Sequence, residues 1–324
     1  MSFAKDDHWV WDFWLADDGE AYHLYYLQAP KSLGNPDLRH RNASIGHATS
    51  ADLRTWRDHG TVLVHGEPSE PDASATWTGS VVCGDDGLWR MFYTGSRFLR
   101  PDAITNIETI CVAVSPDLHA WHKSDDFALN ADPRCYETLD DGVWHEEAWR
   151  DPWVFQSPPG SWHMLITARG RSGPDERNRG VIGYARSDDL ENWSVGPALT
   201  GSAGFAHLEV PQIVELSGSH WLLFSCDGNH LAGPRAGQPG GIWLAPAASP
   251  LGPFDLDQAR LLADEHLYSG RIAHNRSGRP VLLAFENLSA EGGFGGRISD
   301  PRDLEWDGEA FVLATERHER PATR

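Results

Sequence analysis

Apolar residues along the chain gather in short runs rich in aromatic and β-branched side chains, separated by clusters of Gly, Pro, Asp and Asn. No long stretch keeps a 3.6-residue apolar period between caps, so helix is expected to be minor. Five of the runs read alike: YHLYYLQA from Tyr22, WRMFYTGS from Trp89, WHMLITAR from Trp162, HWLLFSCD from His220 and RPVLLAFE from Arg279. Each ends in small or polar residues and has turn signals nearby, which predicts strands.

Two further signatures flank these runs. Ahead of them stand VWDFWL from Val10, TWTGSVV from Thr76, AWRDPWVF from Ala148, HLEVPQIVE from His207 and LYSGRIAH from Leu267. Behind them stand SADLRTW (Ser50 to Trp56), SPDLHAW (Ser115 to Trp121) and SDDLENW (Ser187 to Trp193), with looser copies SPLGPF (Ser249 to Phe254) and SDPRDLEW (Ser299 to Trp306). The spacing between the first two signatures hardly varies. It is 13 residues from Asp12 to Tyr25 and from Gly79 to Phe92, and 14 from Asp151 to Leu165, Glu209 to Leu223 and Ser269 to Leu283.

Five units in constant phase predict an all-β fold, a five-bladed β-propeller forming a single domain over residues 1–324. The approximate units are 8–65, 74–130, 145–200, 205–260 and 264–315, and the residues after Trp306 leave room for one closing strand. A closed ring also removes exposed sheet edges.

In a propeller the innermost strand of each blade lines the central channel, so equivalent positions converge there. Asp12, Asp151 and Glu209 are expected at matching positions of units one, three and four, with Trp77, Thr78, Tyr268 and Ser269 supplied by the other two. Like charges in a narrow cleft raise one another's pKa. A protonated acid facing an ionised carboxylate is what glycoside hydrolysis uses. Arg150 is placed to fix a carboxylate or a sugar hydroxyl. Asp52 and Asp117, in the Ser-x-Asp-Leu copies, read as turn residues bonded to backbone.

These motifs resemble the furanosidase propellers of glycoside hydrolase families 32 and 68, with family 43 a more distant relative. WRDP (Trp149 to Pro152) matches their Arg-Asp-Pro motif, HLEVP (His207 to Pro211) is similar to the Glu-Cys-Pro type, and VWDFW (Val10 to Trp14) is close to the Val-Trp-Asp-x-Trp of family 68. TWTGS, MFYTGS, IGHATSADLRTW and the run leading to Gln28 also resemble that group. The resemblance implies a retaining hydrolase of fructofuranosides, capable of fructosyl transfer. In it Asp12 is the nucleophile, Glu209 the acid/base and Asp151 the transition-state stabiliser. Trp14, Gln28, Trp77, Thr78, Arg150, His207 and Tyr268 are the expected substrate-binding residues, with Trp14 and Tyr268 at the pocket walls. An inverting arabinofuranosidase or xylosidase of the family 43 type is the alternative chemistry, and a non-catalytic sugar-binding propeller the alternative class. One departure is local: where family 32 carries Asn-Asp-Pro-Asn-Gly, Asp12 has Trp11, Phe13 and Trp14 as neighbours.

Composition narrows the partners. A formal charge of −20 disfavours nucleic acid and anionic membranes, while 15 Trp suit stacking on the faces of a small oligosaccharide. The N-terminal MSFAKDDHWVWDF has no signal-peptide pattern, and no apolar window is long enough to span a membrane, so a cytoplasmic location is expected. Cys83, Cys111, Cys135 and Cys226 are scattered and expected to be free thiols. The 16 His show no HxxxH or HxH pair on a strand or helix, so no metal is expected, and the chemistry needs no cofactor. His47 and His207 read as pocket or core histidines, Glu146 and Glu147 as rim or solvated acids, and segments 169–180 and 228–241 as long loops of a pocket rim.

Overall fold

Each apolar run becomes a strand that pairs with its neighbour in the chain. The computed structural model describes residues 2–157, 159–173, 175–289 and 291–314, and the strands in these residues form five antiparallel sheets. Blade one contains β1 (His8–Asp17), β2 (Tyr22–Pro30), β3 (Ser44–Ser50) and β4 (Arg57–Leu63). Blade two contains β5 (Ala75–Cys83), β6 (Trp89–Phe98), β7 (Asn106–Ser115) and β8 (His122–Lys123). Blade three contains β9 (Trp149–Gln156), β10 (Trp162–Arg169), β11 (Gly180–Ser187) and β12 (Trp193–Gly196). Blade four contains β13 (Glu209–Leu216), β14 (Ser219–Cys226), β15 (Gly241–Ala247) and β16 (Arg260–Asp264). Blade five orders β17 (Leu267–His274), β18 (Pro280–Leu288), β20 (Arg302–Trp306) and β21 (Phe311–Leu313), with β19 (Phe294–Ile298) also on β18. β16 runs past residue 260, the expected edge of the fourth unit.

The first strands touch in sequence, β1 with β5, β5 with β9, β9 with β13, β13 with β17, and β17 with β1 again. The molecule is therefore a closed five-bladed β-propeller. The seam between blades five and one is bonded by Phe3, whose N–H and C=O both pair with Ile298 at 2.9 Å. The Phe3 ring meets Tyr26 edge-on, with centroids 4.9 Å apart. The strand after Trp306 was the expected closing element; β21 instead extends blade five, and the N-terminus makes the bond across the seam. The only helical segments among the described residues are short 3-10 turns, and no helix there is long and apolar enough to cross a membrane.

Apolar packing fills the wedges between blades. Trp14 stacks on Tyr25 at 6.0 Å inside the first wedge, and Tyr25 meets Trp121 of blade two edge-on. The Ser-x-Asp-Leu repeats are one turn built three times. Asp52 Oδ1 accepts from the N–H of Arg54 and Thr55, Asp117 Oδ1 from His119 and Ala120, and Asp189 Oδ1 from Glu191 and Asn192. Leu53, Leu118 and Leu190 follow with φ of 62, 64 and 65°. Left-handed backbone costs a leucine on the order of 1 kcal/mol, which full burial of each side chain offsets. The four cysteines are unpaired.

Phe3 makes the ring closure testable. Phe3→Ala should lower the unfolding free energy by about 3 kcal/mol, the usual cost of truncating a packed phenylalanine, as read from urea denaturation. An unchanged midpoint would mean the seam does not depend on this contact.

Candidate active site

The five innermost strands share an irregularity that builds the site. In each, the register against the second strand slips once, within Val10–Phe13, Trp77–Gly79, Arg150–Trp153, Glu209–Gln212 and Tyr268–Arg271. Each slip is a β-bulge, which bends the strand and re-aims side chains. At three of them the first extra residue takes a positive φ: 57° at Asp151, 52° at Val210 and 47° at Ser269. The bulge takes that residue's N–H out of the ladder, and a side-chain oxygen of the preceding blade catches it. Asp151 N–H donates to Thr94 Oγ1 at 2.9 Å, Val210 N–H to Asp151 Oδ2 at 3.1 Å, and Ser269 N–H to Ser225 Oγ at 3.1 Å.

The bulges correct the expectation that the three acids share one position. Asp12 falls one place beyond that of Asp151, since Phe13 pairs with Tyr26 as Trp153 pairs with Leu165. Glu209 falls one place before it, preceding Val210 as Arg150 precedes Asp151 and Tyr268 precedes Ser269. Arg150, Glu209 and Tyr268 are thus equivalent residues of three successive blades, and they form a chain. Arg150 Nη2 donates to Glu209 Oε1 at 2.7 Å, and the Tyr268 hydroxyl to Glu209 Oε2 at 2.5 Å.

Asp12 is held by neutral groups. Its Oδ2 accepts from Thr78 Oγ1 at 2.9 Å and its Oδ1 from Ser269 Oγ at 2.6 Å, so blades two and five aim the carboxylate of blade one. Asp151 is held at one oxygen. Oδ2 takes the bonds from Thr167 Oγ1 at 2.9 Å and Val210 N–H at 3.1 Å, leaving Oδ1 to the cavity. Asp151 differs from Glu209 in access: 24% of the Glu209 side chain is exposed, against 4% for Asp151.

Arg150 serves more than Glu209. Its Nη1 donates to Glu108 Oε2 at 3.1 Å and to Glu146 Oε1 at 3.0 Å, and its Nε lies 3.7 Å from Asp151 Oδ2. Burial opposes its charge, but these four carboxylates outweigh burial and hold the guanidinium well above its ordinary value. Burial pushes Glu108 up, against the pull of Arg150, whereas at Glu146 burial is overcome by Arg150, His145 and Arg169 together and the pKa falls. Burial raises Asp151 to about 6; Arg150 pulls it down, and the Asp12 and Glu209 charges push it further up.

These groups surround an axial cavity of about 330 Å³, at the small end of the range typical of ligand sites. Of the expected residues, Asp12, Trp77, Thr78, Arg150, Asp151, Glu209 and Tyr268 line it. Trp14, Gln28 and His207 do not. Two residues beyond Asp12, Trp14 has moved about 7 Å along the strand into the packing between blades and is fully buried on Tyr25. The indole on the wall is Trp11 instead. Gln28 lies one strand out, buried, donating to Thr61 Oγ1 at 2.7 Å. His207 sits behind Glu146, its Nε2 3.6 Å from Oε1; burial, then the charges of Arg150 and Arg169, keep it neutral.

Several site residues were not expected from the sequence. Glu146 lines the cavity rather than a solvated rim, while Glu147 turns back to accept from Leu139 N–H. Glu108 is buried beneath Arg150, and its one signal is a charge inside the apolar run of β7. Asp227, paired with His230, and Arg39 and His40 from the β2–β3 connection complete the wall. Neither long loop, 169–180 or 228–241, contributes a lining residue; Asp227 stands just ahead of the second.

Comparison with known proteins bears on the family and the fold. A raffinose invertase from Escherichia coli is 28% identical over 278 residues, covering 82% of this chain and 52% of that protein. The chain thus spans about half the length of that relative, and 41% of an extracellular exo-inulinase from Meyerozyma guilliermondii, 26% identical over 69% of this chain. An inulosucrase from Halalkalicoccus jeotgali, solved bound to kestose, superposes with a TM-score of 0.79 at 23% identity, over 97% of this chain and 90% of that one. Bacillus subtilis levansucrase gives 0.75 at 13% identity, over 98% and 88%. These two likenesses establish the fold alone. The family model for the glycosyl hydrolases family 32 N-terminal domain matches residues 14–308, starting just after Asp12. With that match along most of its length, the chain belongs to glycosyl hydrolase family 32.

Proposed function

We propose that this protein is a retaining hydrolase of fructofuranosides, with fructosyl transfer to an acceptor hydroxyl as the second outcome of the same reaction. The observation that carries the reading is the division of environments among three carboxylates facing one cavity. Asp12 is aimed by two hydroxyls that do not neutralise it, which suits attack on the anomeric carbon. Glu209 is part-exposed where Asp151 is enclosed, and a group that trades protons with a leaving group and then with water needs that access. Asp151 is enclosed and keeps Oδ1 for sugar hydroxyls, whose hydrogen bonds tighten as positive charge develops on the ring. The names of the relatives, raffinose invertase and exo-inulinase, support a fructoside as substrate, and a relative named levansucrase supports transfer.

The reaction then runs in two displacements. An Asp12 oxygen bonds to the anomeric carbon as the glycosidic C–O bond breaks, and Glu209 gives its proton to the departing oxygen. Glu209 next takes a proton from water, or from an acceptor hydroxyl, whose oxygen attacks the same carbon and releases Asp12. Two inversions restore the starting configuration. Early-time NMR of the released sugar should therefore show a retained anomer; an inverted one would make Asp12 a base that activates water.

Mutants should separate the roles. Asp12→Asn and Glu209→Gln should each add about 4 kcal/mol to the barrier, roughly a thousandfold in kcat. A fructoside with an acidic leaving group should restore the first displacement in Glu209→Gln, read as a burst of leaving group with the proton donor no longer needed, and give no burst with Asp12→Asn. Rescue of Asp12→Asn in place of Glu209→Gln would reverse the assignment.

Asp151 should show a cost in stability. Its folded pKa of about 6 lies above the unfolded value of about 3.9. Between these values the native state holds the extra proton, so stability falls as pH rises through the window and the cost is complete above it. Asp151→Asn should be inactive yet more stable than the parent at pH 7.5 by about 2 kcal/mol. The difference should vanish as pH falls toward 4. Equal stability of the two proteins at every pH would contradict a strained acid at this position.

A further inference from the structure

Away from the axis, four histidines meet at the seam between blades one and two. His23 stands on β2, His47 on β3, His59 on β4, and His119 in the turn after β7. One ring nitrogen from each of His47, His59 and His119 falls within 4.8 Å of the others. Nitrogens bound to one tetrahedral zinc lie about 3.4 Å apart, given bonds of about 2 Å, so small side-chain rotations close the set. His119 meets His47 and His59 edge-on at 4.9 and 5.2 Å between ring centroids. None of the three lines the axial cavity.

A hydrogen-bond chain decides where the lone pairs point. Asp18 Oδ2 is 3.2 Å from His23 Nε2, and His23 Nδ1 is 3.0 Å from His47 Nε2. The carboxylate accepts, so His23 carries its proton on Nε2 and presents a lone pair at Nδ1. His47 must then donate from Nε2, which leaves its Nδ1 as a bare acceptor. That nitrogen is buried without a partner, in a side chain with no exposed surface. Leaving an acceptor so placed is unfavourable unless something binds it. A carboxylate–histidine relay of this kind is also how metal-binding imidazoles are oriented. His59 Nε2 is engaged by Thr49 Oγ1 at 2.8 Å, which leaves Nδ1 as its donor atom.

We propose that His47, His59 and His119 form a three-imidazole site for a divalent transition cation, zinc in the first instance, which clips blade one to blade two. Imidazole nitrogen selects zinc, nickel or copper over calcium and magnesium. His59 and His119 are exposed, so the fourth position opens to water.

The test uses the whole chain without a histidine tag, stripped with a chelator. Calorimetric titration with zinc should find one tight site per chain, and the ion should raise the thermal midpoint by several degrees. Cobalt should give the absorption bands of a four-coordinate ion, and calcium should do neither. His59→Ala/His119→Ala changes two exposed side chains and should abolish both the binding and the thermal shift. Its rate of fructoside hydrolysis should equal that of the unsubstituted protein. Absence of a stoichiometric site, undiminished zinc binding by the double variant, or equal binding of calcium would each overturn the proposal.

Discussion

One guanidinium answers for four carboxylates at the axis of the propeller. Arg150 reaches Glu108, Glu146 and Glu209 by hydrogen bonds of 3.1, 3.0 and 2.7 Å and lies 3.7 Å from Asp151. Removing it would strand Glu108, which has no exposed surface, and breaking a buried pair in that way costs about 3–5 kcal/mol. The same charge sorts the acids: it helps hold Glu146 low, tempers the rise at Asp151 and fixes one oxygen of Glu209. Asp12 stands apart from that network, with hydroxyls for partners. Asp12 and Glu209, the proposed nucleophile and acid/base, thus acquire different characters from a single asymmetric arrangement.

That arrangement depends on the bulges. A regular strand would present one residue per blade in equivalent poses, and the axis would hold a ring of five like positions. The extra residue lets consecutive side chains, such as Arg150 and Asp151 or Tyr268 and Ser269, both reach the cavity. Three of these bulges place a residue with a side chain in the left-handed region, each at a cost of about 1–3 kcal/mol. The oxygens of Thr94, Asp151 and Ser225 offset that cost by binding the displaced N–H groups. Asp151 takes part twice, as a bulge residue and as the cap of the next bulge.

The strands, their fivefold repetition and the three acids were legible because apolar runs and turn residues recur at a steady interval. The one-residue offsets of Asp12 and Glu209 from Asp151 were not, since a bulge adds a residue without disturbing the apolar pattern on either side. Trp14 shows the same limit: alternation gives the face of a strand but not how far along it the pocket ends. Glu108 supports the site from beneath Arg150, and a lone charge in an apolar strand does not announce its partner. His47, His59 and His119 lie 12 and 60 residues apart, so only the folded seam between two blades assembles them.

The central claim is that Asp12 bonds to the sugar while Glu209 moves the proton. Glu209→Gln treated with a fructosyl fluoride should accumulate the intermediate, because loss of fluoride needs no acid while its hydrolysis needs the missing base. Peptide mass spectrometry of the quenched protein should find one fructosyl group, carried by the peptide that contains Asp12. A label on the peptide of Asp151, or steady turnover of the fluoride with no adduct and an inverted product, would contradict the account.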